Sequence, residues 1–164
     1  MINSQLINYL KQSIELLNQS KSYQWGHSGH CNCGHLAQVM TGKTYSELLK
    51  ISQVREGDWS QQAEMYCDNS GIEIDNVIGL MLKSGLNIED IEHIEYLSNP
   101  AILEKLPGGK KFLLRNSKEN VILYFQGWIS LLEEMQTNNQ AWDVKSTEVE
   151  SEIVIYDSIP EQVF

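Results

Sequence analysis

The side chains of this sequence that can bind metal ions or act as nucleophiles are concentrated in residues 23–38. This stretch holds three of the four histidines and two of the three cysteines, namely His27, His30, Cys31, Cys33 and His35. It also holds three glycines, which let a backbone turn tightly or approach another group closely. We call residues 23–38 the Cys/His segment, and we expect the functional site to lie there.

A zinc site is the first interpretation of the Cys/His segment, because imidazole and thiolate are ligands that suit zinc. The predicted ligands are His27, His30, Cys31, Cys33, His35 and Cys67, with His93 as an alternative source of the fourth ligand. Their spacing contains neither a pair of Cys-x-x-Cys units nor a His-Glu-x-x-His motif. The zinc prediction therefore depends on residue type and local density.

A thiol nucleophile is the second interpretation. We predict that a short helix begins at Cys33 with Asn32 as its N-cap, and the positive end of a helix dipole lowers the pKa of a thiol. Cys33 would then be the nucleophile of a hydrolase or transferase, with His27 as its general base. His30 and His93 are the alternative bases. The sequence does not identify the small-molecule substrate.

The third interpretation is that the Cys/His segment only packs. Cys33 shares one predicted helical face with Leu36, Ala37 and Met40, so its thiol would point into the core as a small apolar group. Free cysteines are commonly buried in this way. The chain would then be a structural or interaction protein.

Two resemblances bear on these alternatives. Tyr23-x-Trp25-Gly26, followed after six residues by Cys33-Gly34-x-Leu36, resembles the approach to the catalytic cysteine in NlpC/P60 and other papain-like cysteine peptidases. That resemblance implies that Cys33 is the nucleophile. Residues 25–38, 57–62 and 67–71 together resemble a group of uncharacterised bacterial proteins. This second resemblance implies that the three stretches form one unit, and it supplies no activity.

Helical periodicity dominates the elements that must position these side chains. Apolar residues recur at helical spacing over residues 4–19, 73–84 and 117–136. Capping boxes start helices at Thr44/Glu47, Asp58/Gln61 and Asn116/Glu119. Only residues 110–114 and 149–156 look extended. The predicted fold class is mainly α, a single compact domain of about seven helices with a short extended C-terminal tail.

We divide the chain into a helical domain at residues 1–140 and an acidic, partly extended segment at residues 141–164. The net charge is −10, and residues 133–164 contain eight acidic residues and one lysine. An acidic protein lacks the basic footprint that nucleic acid and anionic membranes require, so we expect neither as a partner. The nearly all-round apolar helix at residues 117–136 predicts a homodimer.

A soluble cytoplasmic location is expected from three observations. No run of about 18 apolar residues is present, so no membrane span is predicted. The N-terminus lacks a basic region followed by an apolar stretch, the pattern of a secretory signal. The odd number of cysteines favours reduced thiols.

Overall fold

Helices account for all the regular structure that the computed structural model contains in residues 4–109 and 112–153, with side chains described through residue 138. No strand occurs among these residues. The elements are α1 (Ser4–Gln19), α2 (Asn32–Thr41), α3 (Tyr45–Ser52), α4 (Trp59–Glu64), α5 (Glu73–Lys83), α6 (Ile88–Tyr96), α7 (Pro100–Glu104) and α8 (Lys118–Ile153). The predicted mainly α, single-domain fold class is confirmed.

The two capping boxes that begin α3 and α4 form as the sequence predicts. The Glu47 carboxylate accepts a hydrogen bond from the Thr44 backbone N–H at 2.8 Å. At α4, the Gln61 side-chain oxygen accepts from the Asp58 backbone N–H at 2.9 Å. Helices of eight and six residues are unstable in isolation, and each cap stabilises its helix by about 1 kcal/mol. Short-range hydrogen bonds thus fix where these helices begin.

Helix α2 lies at the centre of the fold and packs against α1, α3, α5 and α6. Gly34 allows this position, because a Cβ atom there would lie 2.8 Å from the backbone carbonyl carbon of Gly29. The backbone of the preceding loop can therefore rest directly on the helix. Seven residues of α2 are buried: Asn32, Cys33, Gly34, His35, Leu36, Ala37 and Met40.

Helix α8 packs against α1 and α7 and completes the core. Among its residues up to 138, whose side chains the structure describes, the buried apolar ones are Val121, Tyr124, Phe125, Trp128 and Ile129. Gly127 faces α7, where an added Cβ would lie 3.2 Å from the Ile102 carbonyl oxygen. Much of the apolar surface that suggested a dimer is therefore covered by this chain itself, and the homodimer stays a prediction.

Both ends of α8 differ from the sequence-based prediction. Ser117, and not Asn116, caps the helix, because its side-chain oxygen accepts from the Asn120 backbone N–H at 3.3 Å. The expected end near residue 136 is wrong, as is the extended segment over residues 149–153, since α8 continues to Ile153. Residues 136–140 are polar but include neither glycine nor proline, so nothing in them stops a helix. Residues 154–164 lie outside the described part of the chain.

No helix within the described residues has both the length and the apolar character that crossing a membrane requires.

Candidate functional site

Cys33 has no exposed surface and lies in the same core as Leu36 and Ala37. Its thiol donates a weak hydrogen bond to the Ile91 carbonyl oxygen, with the two atoms 3.6 Å apart. Burial, followed by the nearby Cys31 and Glu95, raises the pKa of the Cys33 thiol well above its ordinary value. The expectation that a helix N-terminus lowers this pKa is therefore wrong, because desolvation of the thiolate dominates.

Cys31 serves as the N-cap of α2, one position before the cap expected from the sequence. Its sulfur accepts a hydrogen bond from the Gly34 backbone N–H at 3.3 Å. The thiol is only 3% exposed, and burial raises its pKa to about 12. Asn32, the predicted cap, is instead the first residue of α2, and its amide donates to the carbonyl oxygens of Ile94 and Glu95.

The three histidines of the Cys/His segment differ in exposure: His27 and His30 are partly exposed, whereas His35 is buried. The His30 ring contacts the rings of His27 and Tyr45 in tilted arrangements, with centroids 4.8 and 4.2 Å apart. His35 Nδ1 lies 2.8 Å from the Cys31 carbonyl oxygen, and since that oxygen only accepts, Nδ1 carries the proton. Burial lowers the pKa of both His30 and His35, which favours the neutral form of both rings.

A small cavity of about 250 Å³ lies beside these rings. His30, His35, Gln38 and Tyr45 line it together with the end of α1. Its lining therefore offers neutral hydrogen-bonding groups. His27 does not line this cavity, and its Nδ1 is buried without a hydrogen-bond partner among the described residues.

The remaining predicted metal ligands are not gathered around the Cys/His segment. Cys67 is exposed in the turn between α4 and α5, whereas Cys31 and Cys33 are buried. His93 lies on α6, where its Nδ1 is 2.8 Å from the Ser98 hydroxyl oxygen. In the part of the chain that the structure describes, no three His, Cys, Asp or Glu side chains are placed to hold a metal ion. The geometry of these residues thus gives the zinc prediction no support.

Glu95 links the Cys/His segment to α4 and α6, and it is not among the site residues that the sequence predicts. Its backbone carbonyl accepts hydrogen bonds from the Trp25 indole at 3.1 Å and from the Asn32 amide at 3.0 Å. Its carboxylate accepts from the Ser60 backbone N–H at 2.8 Å. Burial and then the charge of Asp58 raise the pKa of the Glu95 carboxyl, although the hydrogen bond from Ser60 opposes this shift. The sequence contains one indication that Glu95 is buried, because it falls on the same face of α6 as the buried Ile91.

A second small cavity, of about 170 Å³, separates the Cys/His segment from the start of α4. Cys31, Asp58, Trp59 and Glu95 contribute to its lining. The Trp59 indole closes one side by donating to the Ser28 carbonyl oxygen at 3.1 Å. Both carboxylates are already hydrogen-bonded to the first turn of α4, so they act as caps of that helix.

A larger groove, of about 580 Å³, opens where Trp25 meets α6 and the segment before α8. The Arg115 guanidinium lies over the Trp25 ring, 3.8 Å from its centroid, and also over the Tyr96 ring at 5.0 Å. We call this site the arginine groove; its lining residues are Trp25, Tyr96, Phe112, Leu113, Leu114, Arg115 and Asn116.

Hydrogen bonds hold the frame of the arginine groove in place. The Tyr23 hydroxyl donates to the Arg115 carbonyl oxygen, and the Trp25 indole is fixed by Glu95 as described above. The Tyr96 hydroxyl donates to the Asp58 carboxylate at 3.3 Å. Desolvation, followed by the charges of Asp58 and the buried Glu95, raises the pKa of the Tyr96 hydroxyl. This hydroxyl therefore stays protonated. The Cys/His segment thus supplies one aromatic wall of the groove.

The Arg115 guanidinium lies over the two rings and makes no hydrogen bond or ion pair with any described residue. The only other arginine of the sequence behaves differently, since Arg55 pairs with the buried Asp75 at 2.8 Å. Arg115 is not among the site residues that the sequence predicts. Arg115 and Trp25 are brought together only by folding, and no local sequence pattern indicates that they are neighbours.

Comparison with known protein families, curated proteins and solved structures finds no significant match to this chain. No activity is therefore transferred from a relative.

Proposed function

We propose that this chain is a binding protein whose ligand site is the arginine groove, with the Cys/His segment as its structural support. The ligand would contain an apolar group attached to a carboxylate. The observation that carries this proposal is the Arg115 guanidinium, which is stacked on Trp25 and Tyr96 without an acidic partner among the described residues. Of the alternatives considered from sequence, this one corresponds to an interaction protein whose cysteines only pack.

The stacked Arg115 guanidinium is positioned to bind an anion. An arginine that lies over an aromatic ring keeps the N–H groups at its edge available, and two of them match the two oxygens of a carboxylate. The rings also hold the side chain in one orientation, so less conformational freedom is lost when a ligand binds. Lysine at this position would keep the charge but lose the planar, two-pronged geometry.

Apolar surface next to Arg115 indicates the other half of the ligand. Phe112 is 77% exposed and Leu114 is 55% exposed, and both line the groove. Covering apolar surface stabilises a complex by about 25 cal/mol per Å², whereas a carboxylate alone would leave these two side chains in water. The volume of about 580 Å³ lies within the range of roughly 300–1,000 Å³ that is usual for small-molecule sites.

A matched pair of probes tests the proposal. We expect 4-phenylbutyrate, with about 12 non-hydrogen atoms at about 0.3 kcal/mol each, to bind with a Kd of about 2 mM, and 4-phenylbutanamide to bind at least about 10-fold more weakly. Two-dimensional NMR titration measures both affinities and reports which backbone amides shift. Signals of residues 112–116 and of the Trp25 indole should move.

Two variants test whether Arg115 is responsible for the binding of 4-phenylbutyrate. Arg115→Gln should weaken 4-phenylbutyrate binding at least about 10-fold, because a charge-assisted hydrogen bond contributes roughly 1.5–3 kcal/mol. Lys50→Gln removes the same charge from an exposed site on α3 and should leave binding unchanged. Equal affinity for acid and amide, or full binding by Arg115→Gln, would overturn the proposed function.

A further inference from the structure

His35 presents an unused hydrogen-bond acceptor to the cavity of about 250 Å³ beside α1. Its Nδ1 donates to the Cys31 carbonyl oxygen at 2.8 Å, so Nε2 of the neutral ring carries a lone pair. Nε2 makes no hydrogen bond with any described residue. His35 is only 2% exposed, and the ring of Tyr23 lies beside it with the centroids 6.2 Å apart. The imidazole therefore forms the base of the cavity, with Nε2 on the side of the ring away from Cys31.

Gln38 presents a second acceptor to the same cavity. Its amide nitrogen donates to the Gly29 carbonyl oxygen at 2.9 Å and to the Gly34 carbonyl oxygen at 3.3 Å. Because only the nitrogen can donate, these bonds fix the orientation of the amide and leave Oε1 as an acceptor. No described residue donates to Oε1. His35 and Gln38 are three positions apart in α2, so the two acceptors belong to neighbouring side chains on one side of that helix.

The other walls of this cavity favour a flat, neutral ligand. The rings of His30 and Tyr45 contact each other with centroids 4.2 Å apart, and Leu16 adds an aliphatic side chain. Within the described part of the chain, no acidic side chain, lysine or arginine lines the cavity. Burial, and less strongly the nearby charge of Lys118, lowers the pKa of His35. A positive charge close to the cavity disfavours a cationic ligand.

We propose that this cavity binds a small neutral aromatic molecule with two adjacent hydrogen-bond donors, of the catechol type. One hydroxyl donates to His35 Nε2 and the other to Gln38 Oε1, while the ring lies against His30 and Tyr45. Side chains three positions apart in a helix have Cβ atoms about 5–6 Å apart, a separation that donors on adjacent ring atoms can span. The volume is below the roughly 300–1,000 Å³ usual for drug-sized ligands, so a single ring is the size that fits.

This site is separate from the arginine groove, with which it shares no lining residue among those described. Backbone hydrogen bonds hold both acceptors in place before a ligand binds, which reduces the conformational freedom lost on binding. A ligand without donors would displace water from His35 and Gln38 and leave both acceptors without partners. The selectivity of the site should therefore follow the number of donors on the ligand.

A series of three ligands tests this dependence with the full chain. Catechol has two donors, 2-fluorophenol has one and 1,2-difluorobenzene has none, and fluorine is close to hydroxyl in size. We expect catechol to bind with a Kd of about 5 mM. Each hydroxyl replaced by fluorine should weaken binding about 5-fold, the effect of one neutral hydrogen bond. NMR titration measures the affinities; the side-chain signals of His35 and Gln38 should shift, and that of the Trp25 indole should not.

His35→Asn removes the acceptor and keeps the anchor, because an asparagine amide nitrogen can take the place of Nδ1 and donate to Cys31. This variant should bind catechol about 5-fold more weakly than the parent and should discriminate less between catechol and 2-fluorophenol. His93→Asn makes the same replacement on α6, at a partly exposed site outside the cavity, and should leave binding unchanged. Urea denaturation confirms that both variants are folded.

Nitrogen NMR of the parent protein tests the His35 contact without any substitution. The unprotonated Nε2 and the protonated Nδ1 give separate signals, and a donated hydrogen bond moves the Nε2 signal towards that of a protonated nitrogen. Catechol should cause this change, whereas 1,2-difluorobenzene should not. The inference is wrong if catechol does not bind, if all three compounds bind equally, or if the Nε2 signal stays in place when catechol is bound.

The same measurements keep this inference distinct from the proposed function. Arg115→Gln should bind catechol as tightly as the parent does, and His35→Asn should bind 4-phenylbutyrate normally. Loss of catechol binding in Arg115→Gln would show that catechol occupies the arginine groove, and the inference would be wrong. Failure of 4-phenylbutyrate to bind overturns the proposed function and leaves the catechol site standing.

Discussion

The Cys/His segment and the arginine groove share Trp25, but their polar groups lie in opposite environments. In the Cys/His segment, Cys31 caps a helix, Cys33 is buried, and His35 is anchored to a backbone carbonyl. In the groove, the charged group of Arg115 lies over two aromatic rings and makes no hydrogen bond or ion pair with any described residue. On the proposed function, the dense cluster of reactive residue types is a structural element, and the ligand site lies instead at an arginine that no sequence motif marks.

Thiol reactivity should show the largest difference between the two kinds of environment. We expect iodoacetamide at pH 8 to modify Cys67, which is exposed, at least about 10³-fold faster than Cys31 or Cys33. The buried thiols have raised pKa values and become accessible only when the structure opens. Mass spectrometry of peptides over time gives the three rates, and urea-unfolded protein should label at all three positions. Equal rates for Cys33 and Cys67 in the native protein would restore the nucleophile interpretation.

Close packing of the Cys/His segment predicts the next largest effect. Gly34→Ala would bring a Cβ atom against the backbone of Ser28 and Gly29, so the free energy of unfolding should fall by about 3 kcal/mol. Gly79→Ala in α5 is the matched control. Its Cβ would lie 3.2 Å from the flexible Tyr66 hydroxyl, and helix propensity favours alanine by about 1 kcal/mol. Urea denaturation compares the two; equal stability of Gly34→Ala and the parent would contradict this packing.

Glu95, which supports both regions, predicts a pH-dependent effect. Its pKa is raised in the folded protein above the ordinary value of 4.5, so folding favours the protonated carboxyl. The stability that this group contributes is complete below about pH 4.5 and is lost as the pH rises through the folded pKa.

Glu95→Gln isolates that effect, because glutamine can still accept the hydrogen bond from Ser60 but does not ionise. The free energy of unfolding of Glu95→Gln relative to the parent should therefore increase from pH 4.5 to pH 7. When one proton is involved, this difference in the free energy of unfolding changes by at most about 1.4 kcal/mol per pH unit. Urea denaturation at several pH values measures it. A difference that stays constant with pH would show that Glu95 does not titrate in this range.

Substitutions in the arginine groove should have the smallest effect on stability. Arg115→Gln should cost about 1 kcal/mol or less, the size of an exposed cation–π contact, and Phe112→Ser should stay within about 0.5 kcal/mol of the parent. Thermal unfolding measures both. A loss as large as that of Gly34→Ala would mean that these side chains hold the fold together, which would remove the contrast between the two regions.

Local features of the sequence were enough to predict most helices. The capping boxes at Thr44 and Asp58 involve partners three residues away, so their chemistry is visible in a short window. Helix α1 likewise spans the residues that its apolar periodicity indicated. The far end of α8 was misjudged because polar residues were taken for a linker, although polarity alone does not stop a helix.

The sequence by itself thus determined the helical class, the starts of several helices and the apolar face on which Cys33 lies. Only the tertiary structure decided how the chemically active groups behave. The pKa of Cys33 depends on its complete burial in the core, and its thiol meets α6 at Ile91. The position of Arg115 depends on Trp25, which Glu95 fixes from another helix. Desolvation and long-range contacts arise when distant segments pack together, and no local pattern of residues encodes them.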